Sequence, residues 1–358
     1  MRLISVQKID PHMRLAKPIY YRDTLVLKEG CTDLQRFTDK LVNLGITFIY
    51  IKDEISDGIE IPDVVQCATR HTCKVTLQQT IKNYIGTNTF DISTLSDSIT
   101  KLLDEILENT DVMVSLKNIG SSDESTYIHC ISTTIYALLL ATELGYQDDM
   151  LKKLAMGTIL HDIGKLLLDS KIIFKNDRLT DDEFEYVKAH TTLGYQALQK
   201  CSSLTELSRI IALEHHEKLN GTGYPNHTIS KELHPFIRIV TIADVYDALT
   251  SDRCYRRHWT AKQAFDHLIE FSGTLYDTEY VRLFTQHISI YPNGSIVRLS
   301  NQSLAIVKEQ NKNMPERPIV RVVANPNGHV IKSYLIDLMY ELSITIIESE
   351  LDIPISLN

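Results

Sequence analysis

The sequence predicts a mainly α chain, with a helical central region preceded by a small α+β module and followed by a β-rich appendage. Three observations carry this. Apolar residues recur at helical spacing through most of residues 125–289. Near the N-terminus, two β-branched or aromatic runs, Leu25-Val26-Leu27 and Thr47-Phe48-Ile49-Tyr50-Ile51, bracket a single helical pattern. After Tyr291-Pro292-Asn293-Gly294 the pattern changes to short strand-like runs separated by turn residues.

Taken in order, residues 1–65 form the first module. Its helix is marked by Leu34, Phe37, Leu41 and Leu44, and Gly45 is positioned to stop it. Residues 53–62 are acidic and contain Gly58 and Pro62, as a boundary requires. Residues 66–115 read as a helical connector, built on a helical stretch from 64 to 108 whose stripe is Leu95, Ile99, Leu102, Leu103 and Ile106. Residues 116–290 form the main helical domain. Within it, Thr180-x-x-Glu183 is a capping box that opens a helix running toward Leu198. Residues 291–358 carry strands near 295–299, 304–307 and 319–323, with another near 344–347.

The bulk properties narrow the function. A chain of 358 residues has room for two or three domains. Its net charge of −9 argues against a protein built to hold a nucleic acid polymer, so an anionic substrate would need metal ions or a few placed cations. The six cysteines are scattered with no C-x-x-C pair, which suits reduced thiols in a cytoplasmic protein. No apolar run approaches the roughly 18 residues of a membrane span, and Lys8 and Asp10 interrupt any secretory signal.

The chemistry concentrates in a few positions. His215-His216-Glu217-Lys218-Leu219-Asn220-Gly221-Thr222-Gly223-Tyr224-Pro225 places two imidazoles at the end of an apolar helix, directly before a turn. Upstream stands His161-Asp162-Ile163-Gly164-Lys165, and His129, His190 and Asp244 fall on inward faces of their helices. A single such histidine is more often a satisfied core residue, and a single such aspartate a turn partner. Five inward histidines and two inward aspartates in one helical domain are hard to satisfy by hydrogen bonds alone, whereas a binuclear metal site satisfies them all. Glu217 is read either as orienting one of the paired histidines or as a solvated helix end. Gly221 and Gly223 supply backbone freedom, and Pro225 fixes the exit of the turn.

This ordered series resembles the HD-GYP family, a branch of the HD metal-dependent phosphohydrolases. The matching text continues through Arg238-Ile239 and Ala243-Asp244-Val245-Tyr246-Asp247-Ala248-Leu249-Thr250 to Ser251-Asp252-Arg253-Cys254-Tyr255-Arg256. The resemblance implies a helical HD-GYP catalytic domain. It implies hydrolysis of cyclic di-GMP to the linear dinucleotide pGpG, GMP or both, through a hydroxide activated by two metals, most often iron or manganese. His129, His161, Asp162 and Asp244 would hold one ion. Asp162, His190, His215 and His216 would hold the other, with Asp162 bridging. Lys165 would neutralise charge during catalysis. It would face the phosphates with Arg253 and Arg256, while Gly221, Gly223 and Tyr224 border the substrate.

Members with a third metal carry a Glu where this chain has Ser125, and Glu124 is one residue out of register, so two ions are expected. Cys254 and Cys130 stand where the family usually has Pro and Ser, and neither is a ligand, so neither threatens the metal site. The outer modules resemble, more weakly, domains found beside other members. A homodimer, or a regulatory protein docking on the GYP loop or the outer modules, is compatible with this reading. The alternatives are a phosphohydrolase for another cyclic dinucleotide or a nucleotide, and a non-catalytic regulator that binds the dinucleotide.

Overall fold

A computed structural model describes residues 1–21, 24–110, 112–114, 125–175, 177–230, 232–251, 259–312 and 314–349. The fold is mainly α, with small sheets at the N-terminus and a β-rich C-terminal region, as the sequence predicts.

The N-terminal module contains β1 (Arg2–Ser5), β2 (Arg14–Leu15), β3 (Ile19–Tyr21), β4 (Thr24–Leu27), α1 (Thr38–Asn43) and β5 (Phe48–Lys52). β5 lies between β1 and β2 in an antiparallel sheet, and β3 and β4 form a separate hairpin. Alternation along β5 turns Ile49 and Ile51 inward, where Leu34 and Leu41 meet them. The predicted helix is divided: a 3-10 turn, Leu34–Phe37, leads into α1, which ends where Gly45 takes φ 75°.

The predicted helical run over 64–108 is two helices, α2 (Cys67–Thr87) and α3 (Ser93–Glu108), broken at Asn88 in the left-handed conformation. Asn tolerates that conformation better than most residues, a cue that helical periodicity alone does not carry. The predicted stripe of α3 is buried. One continuous apolar core runs from Val64 to Ile288, so these two helices pack into the main helical domain rather than spacing it from the first module.

That domain continues with α4 (Ser125–Glu143), α5 (Asp148–Ile159), α6 (Ser170–Ile173), α7 (Asp181–Lys188), α8 (His190–Leu198), α9 (Glu206–Glu214), α10 (Pro235–Thr250), α11 (Ala261–Glu270) and α12 (Thr278–His287). The capping box at Thr180 and Glu183 forms with both of its bonds, but the helix it opens breaks at Ala189, so His190 begins a new helix. α4 and α10 are apolar on most faces and lie at the centre, where Tyr136, Tyr246 and Phe284 meet edge to face. These two helices carry His129 and Asp244 into the interior.

The C-terminal sheet is antiparallel, in the order β10 (Ile346–Glu348), β6 (Ile296–Leu299), β7 (Leu304–Glu309), β8 (Ile319–Ala324), β9 (Val330–Asp337). β9 escapes sequence reading because it is an edge strand whose middle residues are exposed on both faces, leaving no inward alternation. Among the described residues, no helix is long and apolar enough to cross a membrane.

Candidate metal centre

Five separate parts of the fold deliver the seven side chains named from sequence. His129 lies on α4, Asp244 on α10, and His190 opens α8. His161 and Asp162 occupy the turn between α5 and a short 3-10 helix, Ile163–Leu167, while His215 caps α9 and His216 follows it. They converge as two groups, His129, His161 and Asp244 in one and Asp162, His190, His215 and His216 in the other. Within each group every ligand atom lies within 4.8 Å of the others.

Asp162 faces both groups. Its Oδ2 is 3.7 Å from His129 Nε2 and 3.5 Å from His161 Nε2. Its Oδ1 is 3.4 Å from His190 Nε2 and 3.6 Å from His215 Nε2. Asp244 Oδ1 lies 3.0 Å from His129 Nε2, and its Oδ2 is 3.6 Å from His216 Nδ1.

The backbone sets the orientation of three imidazoles. His161 Nδ1 donates to the Thr158 carbonyl at 2.6 Å and His190 Nδ1 to that of Val187 at 2.7 Å. His215 Nδ1 reaches the carbonyls of Ile211 and Ala212 at 3.0 and 3.1 Å. With Nδ1 carrying the proton, each ring, when neutral, turns the lone pair of Nε2 inward, the arrangement that metal-ligating histidines adopt. His190 Nε2 and His215 Nε2 then stand 3.3 Å apart, two acceptors facing each other.

Electrostatics keep three of the histidines and both carboxylates available as donors. Burial, reinforced by Lys165, pushes the His190 imidazole down to about 3. Burial also lowers His215 and, helped by His215, holds His216 well below the ordinary histidine range. For Asp162, burial alone would raise the carboxyl, but Lys165 and His161 outweigh it and hold it well below the ordinary range. Asp244 follows the same logic, with His129 and His161 overcoming burial. His129 and His161 go the other way: burial opposes their charge, yet the surrounding carboxylates raise both.

The donor set fits metal ions. His161 Nε2 and Asp162 Oδ1 are buried and have no hydrogen-bond partner. Buried groups are rarely left so, because the desolvation cost is of order 1–3 kcal/mol for each. A metal ion held by these residues would satisfy such atoms and relieve the opposed lone pairs of His190 and His215.

Around this centre, Lys165 Nζ bonds Asp162 Oδ2 at 2.6 Å. The Tyr224 ring packs at 4.7 Å from that of His216, and its peptide bond to Pro225 is cis. Gly221 adopts φ 75°, the freedom expected of it. Gly223 has a different reason: a Cβ there would meet Glu217 Cα at 2.4 Å and the His216 carbonyl oxygen at 2.5 Å, so glycine is required by close approach. Neither reading of Glu217 holds. It is buried and accepts from the backbone N–H groups of Asn226 and Thr228 at 2.6 and 3.1 Å, tying the far side of the GYP turn to the end of α9. Arg253 and Arg256, like Cys254 and Glu124, lie outside the described residues.

Sequence reasoning missed one functional residue. Asp247 is fully buried, and its Oδ2 accepts from His129 Nδ1 at 2.6 Å. Its signal was present: it stands three residues after Asp244 on the same apolar helix, where a second inward carboxylate needs a partner.

A family profile described as HD domain matches residues 101–280, and one described as a KOW domain associated with HD domain matches residues 296–351. The chain is 32% identical over 249 residues to a cyclic di-GMP phosphodiesterase of Pseudomonas aeruginosa, covering 69% of this chain and 60% of that protein. It is 35% identical over 144 residues to a cyclic di-GMP phosphodiesterase response regulator of Xanthomonas campestris, covering 40% of this chain and 38% of that one. The chain thus spans between about a third and two thirds of the length of these relatives. An HDG"Y"P protein of Bdellovibrio bacteriovorus shares the fold, with a TM-score of 0.52 at 17% identity, covering 79% of this chain and 97% of that one.

Proposed function

Because this chain belongs to the HD domain family, in its HD-GYP branch, we propose that it is a metal-dependent phosphodiesterase acting on cyclic di-GMP and yielding pGpG, GMP or both. The observation that carries this reading is Asp162, which aims one carboxylate oxygen at each of two histidine groups. Such a carboxylate suits a bridge between two divalent ions, with iron and manganese the expected metals. His129, His161, Asp162 and Asp244 would hold one ion, and Asp162, His190, His215 and His216 the other. When bound, the ions supply a solvent nucleophile near neutral pH and neutralise phosphoryl charge.

The protein's own groups do the rest. Lys165 places a cation beside Asp162, where it can stabilise charge developing on the phosphoryl oxygens. The carbonyls of Thr158, Val187 and Ile211 keep the imidazole protons on the outward nitrogens. Tyr224 packs on His216, and with Gly221 and Gly223 would border the substrate, joined by Arg253 and Arg256. The division at residues 65, 115 and 290 is likewise proposed; changes in element type support the outer two boundaries, while α2 and α3 share their apolar core with the helices after 115.

The test is Asp162→Ala in anaerobically prepared protein, read by metal content, helical circular dichroism, and turnover of cyclic di-GMP beside cyclic GMP-AMP and GMP. The expected result is a folded protein without turnover and with reduced metal. Undiminished turnover refutes the assignment. Faster turnover of another cyclic dinucleotide would replace the substrate but leave the centre standing.

A further inference from the structure

A cavity of about 440 Å³ lies away from the His/Asp centre, where the N-terminal module, α2, α4 and the C-terminal sheet meet. Its size falls in the range of small-molecule sites, roughly 300–1,000 Å³. The lining combines three features. Among the described residues that line it, four cations, Lys17, Arg70, Lys74 and Lys312, face two carboxylates, Asp63 and Glu309, an excess of positive charge in a chain of net charge −9. Asp63 is shared: Lys17 Nζ bonds it at 2.8 Å and Arg70 lies 3.8 Å from it. Flat surface comes from Tyr20 and His71, stacked with ring centroids 4.8 Å apart, and from Tyr50 beneath Lys17.

The floor is apolar and comes from α4, where Ile128, Ile131 and Ser132 share one face. His129, on the same turn, points elsewhere, toward Asp244 and Asp247. The cavity and the metal centre therefore occupy different sides of one helix.

We propose that this cavity binds a small organic anion with a flat apolar body, separately from the substrate of the metal centre. The cations recognise the charged group, the stacked rings hold the flat part, and the isoleucines exclude water from it. Occupancy does not require that the centre hydrolyse anything.

The test uses anilinonaphthalene sulfonate, a fluorescent aromatic anion, on the full chain. Cys67 lines the cavity as a free, partly exposed thiol, so its alkylation by iodoacetamide reports occupancy directly. The expected result is saturable binding of one probe per chain, with Cys67 alkylation slowed in proportion to saturation. Exchanging charge with R70E and K312E together should weaken binding about tenfold or more. Filling the space with C67W should abolish it, with helical circular dichroism unchanged. An alkylation rate unaffected by saturating probe overturns the proposal, as does unchanged affinity in the folded variants. The alkylation measurement on the unaltered chain decides even where a variant fails to fold. Absent protection with intact cyclic di-GMP turnover removes this site alone, and protection without turnover removes only the hydrolytic reading.

Discussion

Gly164 is the tightest point of the centre, and replacing it tests how the second histidine group is built. The residue lies on the 3-10 helix after Asp162, against the first turn of α8. A Cβ at Gly164 would stand 1.8 Å from the His190 carbonyl oxygen, 2.7 Å from the His190 carbonyl carbon and 2.8 Å from Gly194 N. All three are backbone atoms, so no side chain can swing aside. Restoring ordinary contact, at 3.4 Å, requires the segments to part by about 1.6 Å. Imidazole–metal bonds are ~2.0–2.1 Å long and tolerate only ~0.2 Å, so His190 would leave its group. Overpacking on this scale costs about 3 kcal/mol, which lowers the Tm of a domain this size by about 6–12 °C. Gly164→Ala is therefore expected to lose the ion proposed for His190, His215 and His216 while retaining the one proposed for His129, His161 and Asp244. Elemental analysis of iron- or manganese-loaded protein and scanning calorimetry measure both effects. Gly194→Ala serves as the comparison, since its Cβ meets nothing nearer than 3.2 Å and should cost much less. Full metal content with an unshifted Tm in Gly164→Ala would refute the reasoning, and simultaneous loss of both ions would refute the independence of the groups.

The same geometry sets other outcomes. Asp247→Asn replaces the carboxylate beside His129 Nδ1, so metal affinity should fall about 10–100-fold with helical content retained, as a metal titration would reveal. Lys165→Met should lower kcat about 10²–10³-fold while shifting the Tm little, and an unchanged kcat would remove Lys165 from the reaction. Lys218, over the Tyr276 ring, is pushed down to about 8 by burial from its ordinary 10.5. Between these values the unfolded chain holds the proton and the folded one does not, so stability rises with pH across that window, and the full cost of the buried charge falls below pH 8. Lys218→Met should accordingly gain stability over the parent at pH 7.5 and lose about 1–2 kcal/mol of that advantage by pH 9.5, measured by urea unfolding.

The sequence exposes side chains and their spacing, and features set by those two alone were legible. His190 and His215 could be placed on inward faces because Gly194 and Ile211 fix the phase of α8 and α9. Asp244 could be singled out because a carboxylate amid Val240, Ile242 and Ala243 needs a counterion. The failures share a physical reason: each depends on backbone that the letters do not show. Glu217 is a carboxylate whose partners are two peptide N–H groups nine and eleven residues later. Gly223 is small because another part of the chain passes against it, which no local turn rule reveals. The break before His190 leaves apolar periodicity almost unchanged, and the exposed edge strand β9 has no inward alternation to read. Asp247 is the exception, a residue that the burial argument applied to Asp244 would have found one turn further along.

The same distinction explains why the ligand residues are insufficient by themselves. A buried imidazole can carry its proton on either nitrogen, and a ring in the wrong tautomer presents N–H rather than a lone pair to a cation. Here the choice is made by main-chain carbonyls from the preceding turn at His161, His190 and His215, and by Asp247 at His129. Carbonyls fixed in a helix need not reorganise when a metal arrives, whereas the Asp247 carboxylate adds charge that pulls His129 toward its protonated form. The two groups should therefore differ in acid. His190, His215 and His216 keep their lone pairs as pH falls, because burial holds them neutral. His129 and His161 must each shed a proton to ligate, so the ion on their side should be the first lost on acidification.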